Sequence, residues 1–210
     1  LEDGVKNAIF SDENMLRSFY VVDEVRVADG SLMLQVPESG KTNLVGMKVD
    51  FEIKGRGGDP VVRKGKEVTR TSLEGLRKAN IGEVEIEAQQ FEGAYAVGDI
   101  VNTETGEVIV EANNEITAAK LQEVIEAGVA SFSIFFTARD DVGVVIAQTL
   151  KKDTISKPVD ALLEIYRKMR PGDPPTVPTA YRLLEGMFFD ARRFDLSRVG
   201  RLKFNIKMGR

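Results

Sequence analysis

The chain has 210 residues, 42% hydrophobic and 30% charged, with a net charge of −4, which describes one or two folded globular domains rather than a disordered or fibrous chain. It has no Cys and no His. That excludes disulfides, thiolate nucleophiles, zinc sites built on Cys or His, and the usual general base near neutral pH. No apolar run reaches the roughly 18 to 20 residues of a membrane helix. The opening Leu1-Glu2-Asp3-Gly4 is acidic where a secretory signal is basic. The absence of Cys fits the cytosol, and a cytoplasmic protein is expected. The missing initiator Met suggests a piece cut from something longer. Residues 1–150 hold 15 Lys+Arg against 26 Asp+Glu, net −11, whereas residues 151–210 hold 14 against 7, net +7. Only the C-terminal part is therefore suited to face a polyanion.

In chain order, Ser11 to Phe19 reads as a helix capped by Ser11 or Asp12, with Met15, Leu16 and Phe19 on one face. The period then changes. Val25, Val27, Leu32, Leu34 and Val36 alternate with polar residues around Ala28-Asp29-Gly30-Ser31, a hairpin whose Asp-Gly turn accepts positive φ. Met47 to Ile53 alternates again and predicts a further strand. Gly55-Arg56-Gly57-Gly58-Asp59-Pro60 lacks the Gly-Lys-Ser/Thr ending of a phosphate loop and reads as a flexible loop tip.

An internal repeat of about 48 residues follows. Glu67-Val68-Thr69, Leu73, Leu76, Ala79, Ile81, Val84 and Ile86 recur as Glu115-Ile116-Thr117, Leu121, Val124, Ala127, Val129, Phe132 and Ile134. Each copy predicts an extended entry, a short helix and a strand; Thr117 caps the second helix and Gly128 suits the left-handed turn that ends it. Two copies are too few for a solenoid, so a compact, pseudo-symmetric α+β module is expected. Between the copies, Tyr95–Val101 and Glu107–Glu111 predict a hairpin across Thr103-Glu104-Thr105-Gly106. From about Leu150 the chain turns helical. Pro158 opens a helix after Ser156, with Ala161, Leu162, Ile165, Tyr166 and Met169 on its buried face; Arg170-Pro171-Gly172-Asp173-Pro174-Pro175 stops it. A second helix is predicted over Val177 to Phe188.

Two clusters carry candidate chemistry. Glu83, Glu85 and Glu87 share one face of a strand and would suit a divalent cation or an acid–base pair if buried, but nothing apolar masks that face, so a solvated one is expected. The stronger candidate is the basic segment: Arg167, Lys168 and Arg170, then Arg192, Arg193, Arg198, Arg201, Lys203 and Lys207. Guanidinium groups grip phosphate oxygens bidentately, and Phe194 and Phe204 would stack on a splayed base. The competing reading gives Arg167 to Arg170 to the helix dipole and the two Phe residues to the core.

The stretch Ala161-Leu162-Leu163-Glu164-Ile165-Tyr166-Arg167-Lys168-Met169-Arg170-Pro171-Gly172-Asp173-Pro174-Pro175 resembles a signature of the β subunit of bacterial RNA polymerase. So do Phe188-Phe189-Asp190 and Arg193-Phe194-Asp195-Leu196-Ser197-Arg198-Val199-Gly200-Arg201-Leu202-Lys203-Phe204-Asn205, in the order and spacing of that family's lobe. Met15-Leu16-Arg17-Ser18-Phe19-Tyr20 is similar to the incoming side of the lobe. The resemblance implies an α+β fold in which helical lobe segments, residues 1–20 and 147–210, flank a β-rich insertion module, residues 21–146, that carries the internal repeat. It implies a non-catalytic wall of the cleft over downstream and non-template DNA, with Arg170 and Arg193 toward the non-template strand and Asp173 beside them. Arg167, Arg192, Arg198, Arg201 and Lys203 join them as expected nucleic-acid contacts. No cofactor is expected here, because the family's catalytic Mg²⁺ is held by an Asp triad in the β′ subunit. The implied partners are DNA and the β′, α and sigma subunits, and the acidic insertion is expected to point outward toward regulatory proteins. A free-standing nucleic-acid-binding module is the alternative.

Overall fold

The computed structural model describes residues 11–55, 58–155, 157–193 and 195–207. The chain divides into two compact units, Leu1–Lys152 and Asp153–Arg210. No helix among the described residues is long and apolar enough to cross a membrane.

The first unit is built on a hairpin. Strands β1 (Val22–Ala28) and β2 (Ser31–Gln35) pair through a turn in which Asp29 and Gly30 have φ of 50° and 80°, the geometry that lets a two-residue turn match the strand twist. Strands β5 (Glu83–Ile86) and β9 (Ser131–Phe136) flank it, and β6 (Ala94–Ala96) closes one side, in the order β5-β2-β1-β9-β6. The arrangement is pseudo-symmetric. Val84 and Ile86 lie opposite Leu34 and Leu32; Phe132 and Ile134, each 48 residues later, lie opposite Val25 and Asp23. Each half also carries a small hairpin, β3 (Ile53–Lys54) with β4 (Pro60–Val62), and β7 (Ile100–Val101) with β8 (Val108–Val110). A short helix follows in each half, α2 (Arg70–Lys78) capped by Thr69 and α3 (Ala118–Glu126) capped by Thr117. The positive φ that ends them falls on Asn80 (54°) and Gly128 (65°), where Asn and Gly accept left-handed backbone most readily.

The repeat therefore holds, and it is longer than the sequence pattern suggests. Two strand predictions do not hold as drawn. Met47–Ile53 is no continuous strand: Lys48 makes an isolated bridge to Glu67, and the chain bends at Asp50 and Phe51 before β3. Tyr95–Val101 is split between β6, in the main sheet, and β7, in the small hairpin. The alternation was real, since Met47 and Val49 are buried, but periodicity reports burial and not ladder continuity. The glycine loop is the β3–β4 connection, with the Gly55 N–H donating to the Asp59 carbonyl at 2.9 Å; Arg56 and Gly57 lie outside the described residues.

One sheet face packs against α2, α3 and the small hairpins in the main core, which includes Leu34, Leu73, Leu76, Leu121, Val124 and Ile134. Asp23 faces the same side, where its pseudo-symmetric counterpart is Leu32. It is buried, and it is satisfied by Thr42 Oγ1 (2.6 Å), the Asn43 backbone N–H (2.9 Å) and Asn43 Nδ2 (2.8 Å). Burial pushes its carboxyl above the ordinary range, against the lowering effect of those donors and of Arg139. The opposite face holds a smaller core of Leu16, Tyr20, Val97, Phe135 and Ala147. It is covered by α1 (Asp12–Phe19), capped by Ser11, and α4 (Val145–Lys152). Tyr20 stacks on Phe135 at 4.6 Å and donates its hydroxyl to the Gly143 carbonyl at 2.7 Å. Of the three residues expected on the buried face of α1, only Leu16 is buried; Met15 and Phe19 are 39% and 45% exposed.

The second unit is helical: α5 (Pro158–Met169), α6 (Val177–Phe188) and α7 (Arg198–Lys207). The Pro-rich turn after Met169 behaves as read, with Arg170 leaving helical geometry and Gly172 at φ 100°. Ser156 lies outside the described residues, and Lys157 is the N-cap of α5. Thr176 and Thr179 form a reciprocal capping box on α6. Helices α5 and α6 pack against each other, burying Tyr166 and Ala180. Ile165 and Met169, expected on the buried face of α5, are 42% and 52% exposed, because one helix contact covers only a narrow stripe of a wide apolar face.

Candidate nucleic-acid interface

The cations singled out in the sequence all belong to the second unit, and those from Arg167 to Lys203 lie on its surface. Arg167 sits in the last turn of α5, paired with Glu164 at 3.0 Å. Arg170 caps that helix and stands 4.0 Å from Asp173 across the turn that Gly172 allows. Arg193 follows α6, with its Nε 3.4 Å from Asp190 Oδ2. The Asp190 carboxylate also accepts from the Arg192 backbone N–H at 3.0 Å. Arg198, Arg201 and Lys203 are exposed on α7, which has no acidic residue in its first turn.

Each of these ion pairs joins residues three apart, with Arg side chains 57–72% exposed. Pairs of this kind contribute about 0–1 kcal/mol, so the guanidinium groups are free to turn to a stronger anion. Arg167 and Lys168 also lie at the negative end of α5, where a cation is favoured by the helix dipole; the two roles do not compete.

A shallow groove is lined by Arg182, Glu185, Gly186, Phe189, Asp190 and Arg193. Arg182, Glu185, Gly186 and Phe189 fall at helical spacing along one side of α6 and its end. Arg193 lies over Gly186, where an added Cβ would come within 3.2 Å of Nη1 and 3.3 Å of Cδ and would push the side chain away by a few tenths of an ångström. Arg182 was not among the residues singled out, although its spacing from Phe189 was legible. Phe189, at its end, is 81% exposed. The other cations, on α5 and α7, do not line this groove. Phe204 is 51% exposed rather than in a core, and Phe194 lies outside the described residues. Glu83 and Glu85 engage Arg26 and Ser31, and among the described residues no acidic cluster is placed to hold a metal ion.

Residues 136–210 match the family described as RNA polymerase Rpb2, domain 2. Over 200 residues the chain is 51% identical to the DNA-directed RNA polymerase subunit beta of Koribacter versatilis, covering 94% of this chain and 13% of that protein. The β subunit of Solibacter usitatus is 48% identical over 94% of this chain, and that of Sorangium cellulosum 38% over 96%, each match spanning 14% of the relative. The chain belongs with bacterial RNA polymerase β subunits. It spans about one seventh of the length of these relatives. Within this β-subunit segment, the Rpb2-type match covers β9's last residue, α4 and the whole helical unit, and so takes in every candidate DNA-contacting cation. The repeat module lies almost entirely before it, but inside the stretch shared with the β-subunit relatives.

Proposed function

We propose that this chain is the lobe portion of the β subunit of DNA-directed RNA polymerase, a non-catalytic wall of the cleft that contacts downstream and non-template DNA during transcription. The whole enzyme is a cytoplasmic, nucleoid-associated nucleotidyltransferase assembled with β′, α and sigma subunits. Its Mg²⁺ is carried by β′, and this segment supplies no catalytic group. Residues 1–20 and 147–210 belong to the lobe and residues 21–146 to an inserted module that offers a surface to regulatory proteins. The observation that carries the reading is the set of exposed arginines, held only by local pairs, inside the segment that matches Rpb2 domain 2. Arg170 and Arg193 contact non-template phosphates; Arg167, Arg192, Arg198, Arg201 and Lys203 extend the basic track. Such contacts hold a strand without reading its sequence. A free-standing nucleic-acid module is not favoured, since the relatives carry this segment as 13–14% of a longer chain.

The test is Arg170→Glu with Arg193→Glu in the assembled enzyme, followed by open-complex lifetime at low ionic strength. A charge-assisted contact is worth about 1.5–3 kcal/mol, so a lifetime shortened by at least about tenfold is expected. An unchanged lifetime would overturn the reading.

A further inference from the structure

The acidity of the repeat module is not shared between its halves. Residues 46–88 hold nine Lys+Arg against eight Asp+Glu, net +1, whereas the matching residues 94–136 hold one against seven, net −6. The difference concentrates at one turn. In the first half, the Lys66 N–H donates to the Arg63 carbonyl (3.1 Å), the Gly65 N–H to Val49 (2.7 Å) and the Val49 N–H to Lys66 (3.2 Å). In the second, the Asn114 N–H donates to Glu111 (3.2 Å), the Asn113 N–H to Ala96 (2.8 Å) and the Ala96 N–H to Asn114 (2.9 Å). The left-handed position falls on Gly65 at 71° and on Asn113 at 59°. One backbone is thus built twice, once from Arg63-Lys64-Gly65-Lys66 leading to Arg70, and once from Glu111-Ala112-Asn113-Asn114 leading to Ala118.

The second copy shows that the turn does not need the cations of the first. Arg63, Lys64, Lys66 and Arg70 are all exposed, and none takes part in an ion pair among the described residues. The acids nearest in sequence are Glu67, bridged through its backbone to Lys48, and Glu74, one turn on from Arg70. Among the described residues between 53 and 80 no large apolar side chain is exposed. Protein–protein interfaces take their anchoring energy from apolar and aromatic residues at the centre of the patch, whereas contacts to a phosphate backbone need only positioned donors and positive charge. We infer that Arg63, Lys64, Lys66 and Arg70 form a second nucleic-acid contact, a sequence-independent phosphate-binding ridge on the first half of the module. The acidic second half is left to protein partners. The inference rests on the polymerase reading, which supplies DNA as the polyanion.

The internal repeat also supplies the test. Arg63→Glu, Lys64→Ala, Lys66→Asn and Arg70→Ala together install residues that the second copy already carries on the same backbone. Binding of the full chain to a 30-base-pair duplex is followed by fluorescence anisotropy from low to moderate salt, beside the Arg170→Glu, Arg193→Glu variant and the parent. Each duplex phosphate contact adds about 0.9 to the slope of log affinity against log salt. The four-residue exchange should therefore flatten the slope by about 3.6 and weaken binding at least tenfold at low salt, with unchanged thermal unfolding. If only the Arg170/Arg193 variant weakens binding, the ridge is refuted and the DNA-facing lobe stands. If neither does, both fail. If the exchange instead abolishes binding of a poly-glutamate peptide and leaves duplex affinity intact, the ridge serves an acidic protein and the inference is overturned.

Discussion

The two units of this chain handle apolar surface in opposite ways. The first packs a five-stranded sheet on both faces and buries Phe91, Phe135, Leu34, Leu76 and Ile134 almost completely. The second leaves Phe188, Phe189, Val199, Leu202 and Ile206 between 59% and 81% exposed, and among its described residues the only large buried side chain is Tyr166. Charge follows the same division. In the first unit a buried carboxylate is fully hydrogen-bonded, and Arg17 ties α1 to the sheet through Glu24 and Ser133. In the second, the arginines make only loose local pairs. A chain can thus carry a region that buries its apolar surface beside one that leaves much of it exposed.

The contrast can be broken by paired aromatic truncations. Phe135→Ala should destabilise the first unit by about 3–5 kcal/mol, whereas Phe188→Ala in the second should fall within about 0.5 kcal/mol of the parent; denaturant unfolding measures both. Comparable losses would erase the distinction. A smaller effect is expected at the buried carboxylate. Asp23→Ala strands the Asn43 N–H and the Thr42 hydroxyl and should cost about 1–3 kcal/mol.

That cost should also depend on pH, with a definite sign. The folded-state value of Asp23 is raised by burial, so its contribution to stability is fully present below the unfolded carboxylate value and is lost as pH rises through the folded one. The gap between Asp23→Ala and the parent should narrow as pH climbs out of the ordinary carboxylate range. A gap that widens would mean that Arg139 and the hydrogen bonds outweigh desolvation. The smallest effect sharpens the picture of the helical unit. Thr176→Ala removes the capping box of α6 and should cost about 1 kcal/mol, read as lost helicity confined to that unit.

The hairpin at Asp29-Gly30, the caps at Ser11 and Thr117, the Pro-Gly stop after Met169 and the repeat were legible, because each depends on residues a few positions apart, whereas the caps at Thr69 and Thr176 were not singled out. The tracts around Met47 and Tyr95 were misjudged at their ends for a complementary reason: alternation marks which side chains are buried, and the same alternation serves an isolated bridge, a small hairpin or a ladder strand. At the candidate interface, charge segregation and the β-subunit signature pointed to the segment that matches the Rpb2-type family. Neither revealed that Arg193 lies over Gly186 of α6 beside Arg182 and Phe189, since that groove joins side chains whose nearness depends on where the chain goes after the helix ends.

The sequence by itself determined the local turns and caps, the 48-residue recurrence, the absence of Cys and His chemistry and the placing of positive charge at the C-terminal end. These are properties of residue type and short-range geometry. Only the tertiary structure decided that the recurrence is a pseudo-two-fold about the β1–β2 hairpin, that a carboxylate takes the place of a leucine in the core, and that one backbone turn is built twice with opposite charge. Each of these rests on strands paired across tens of residues, where packing and hydrogen-bond registry, not propensity, select the partner.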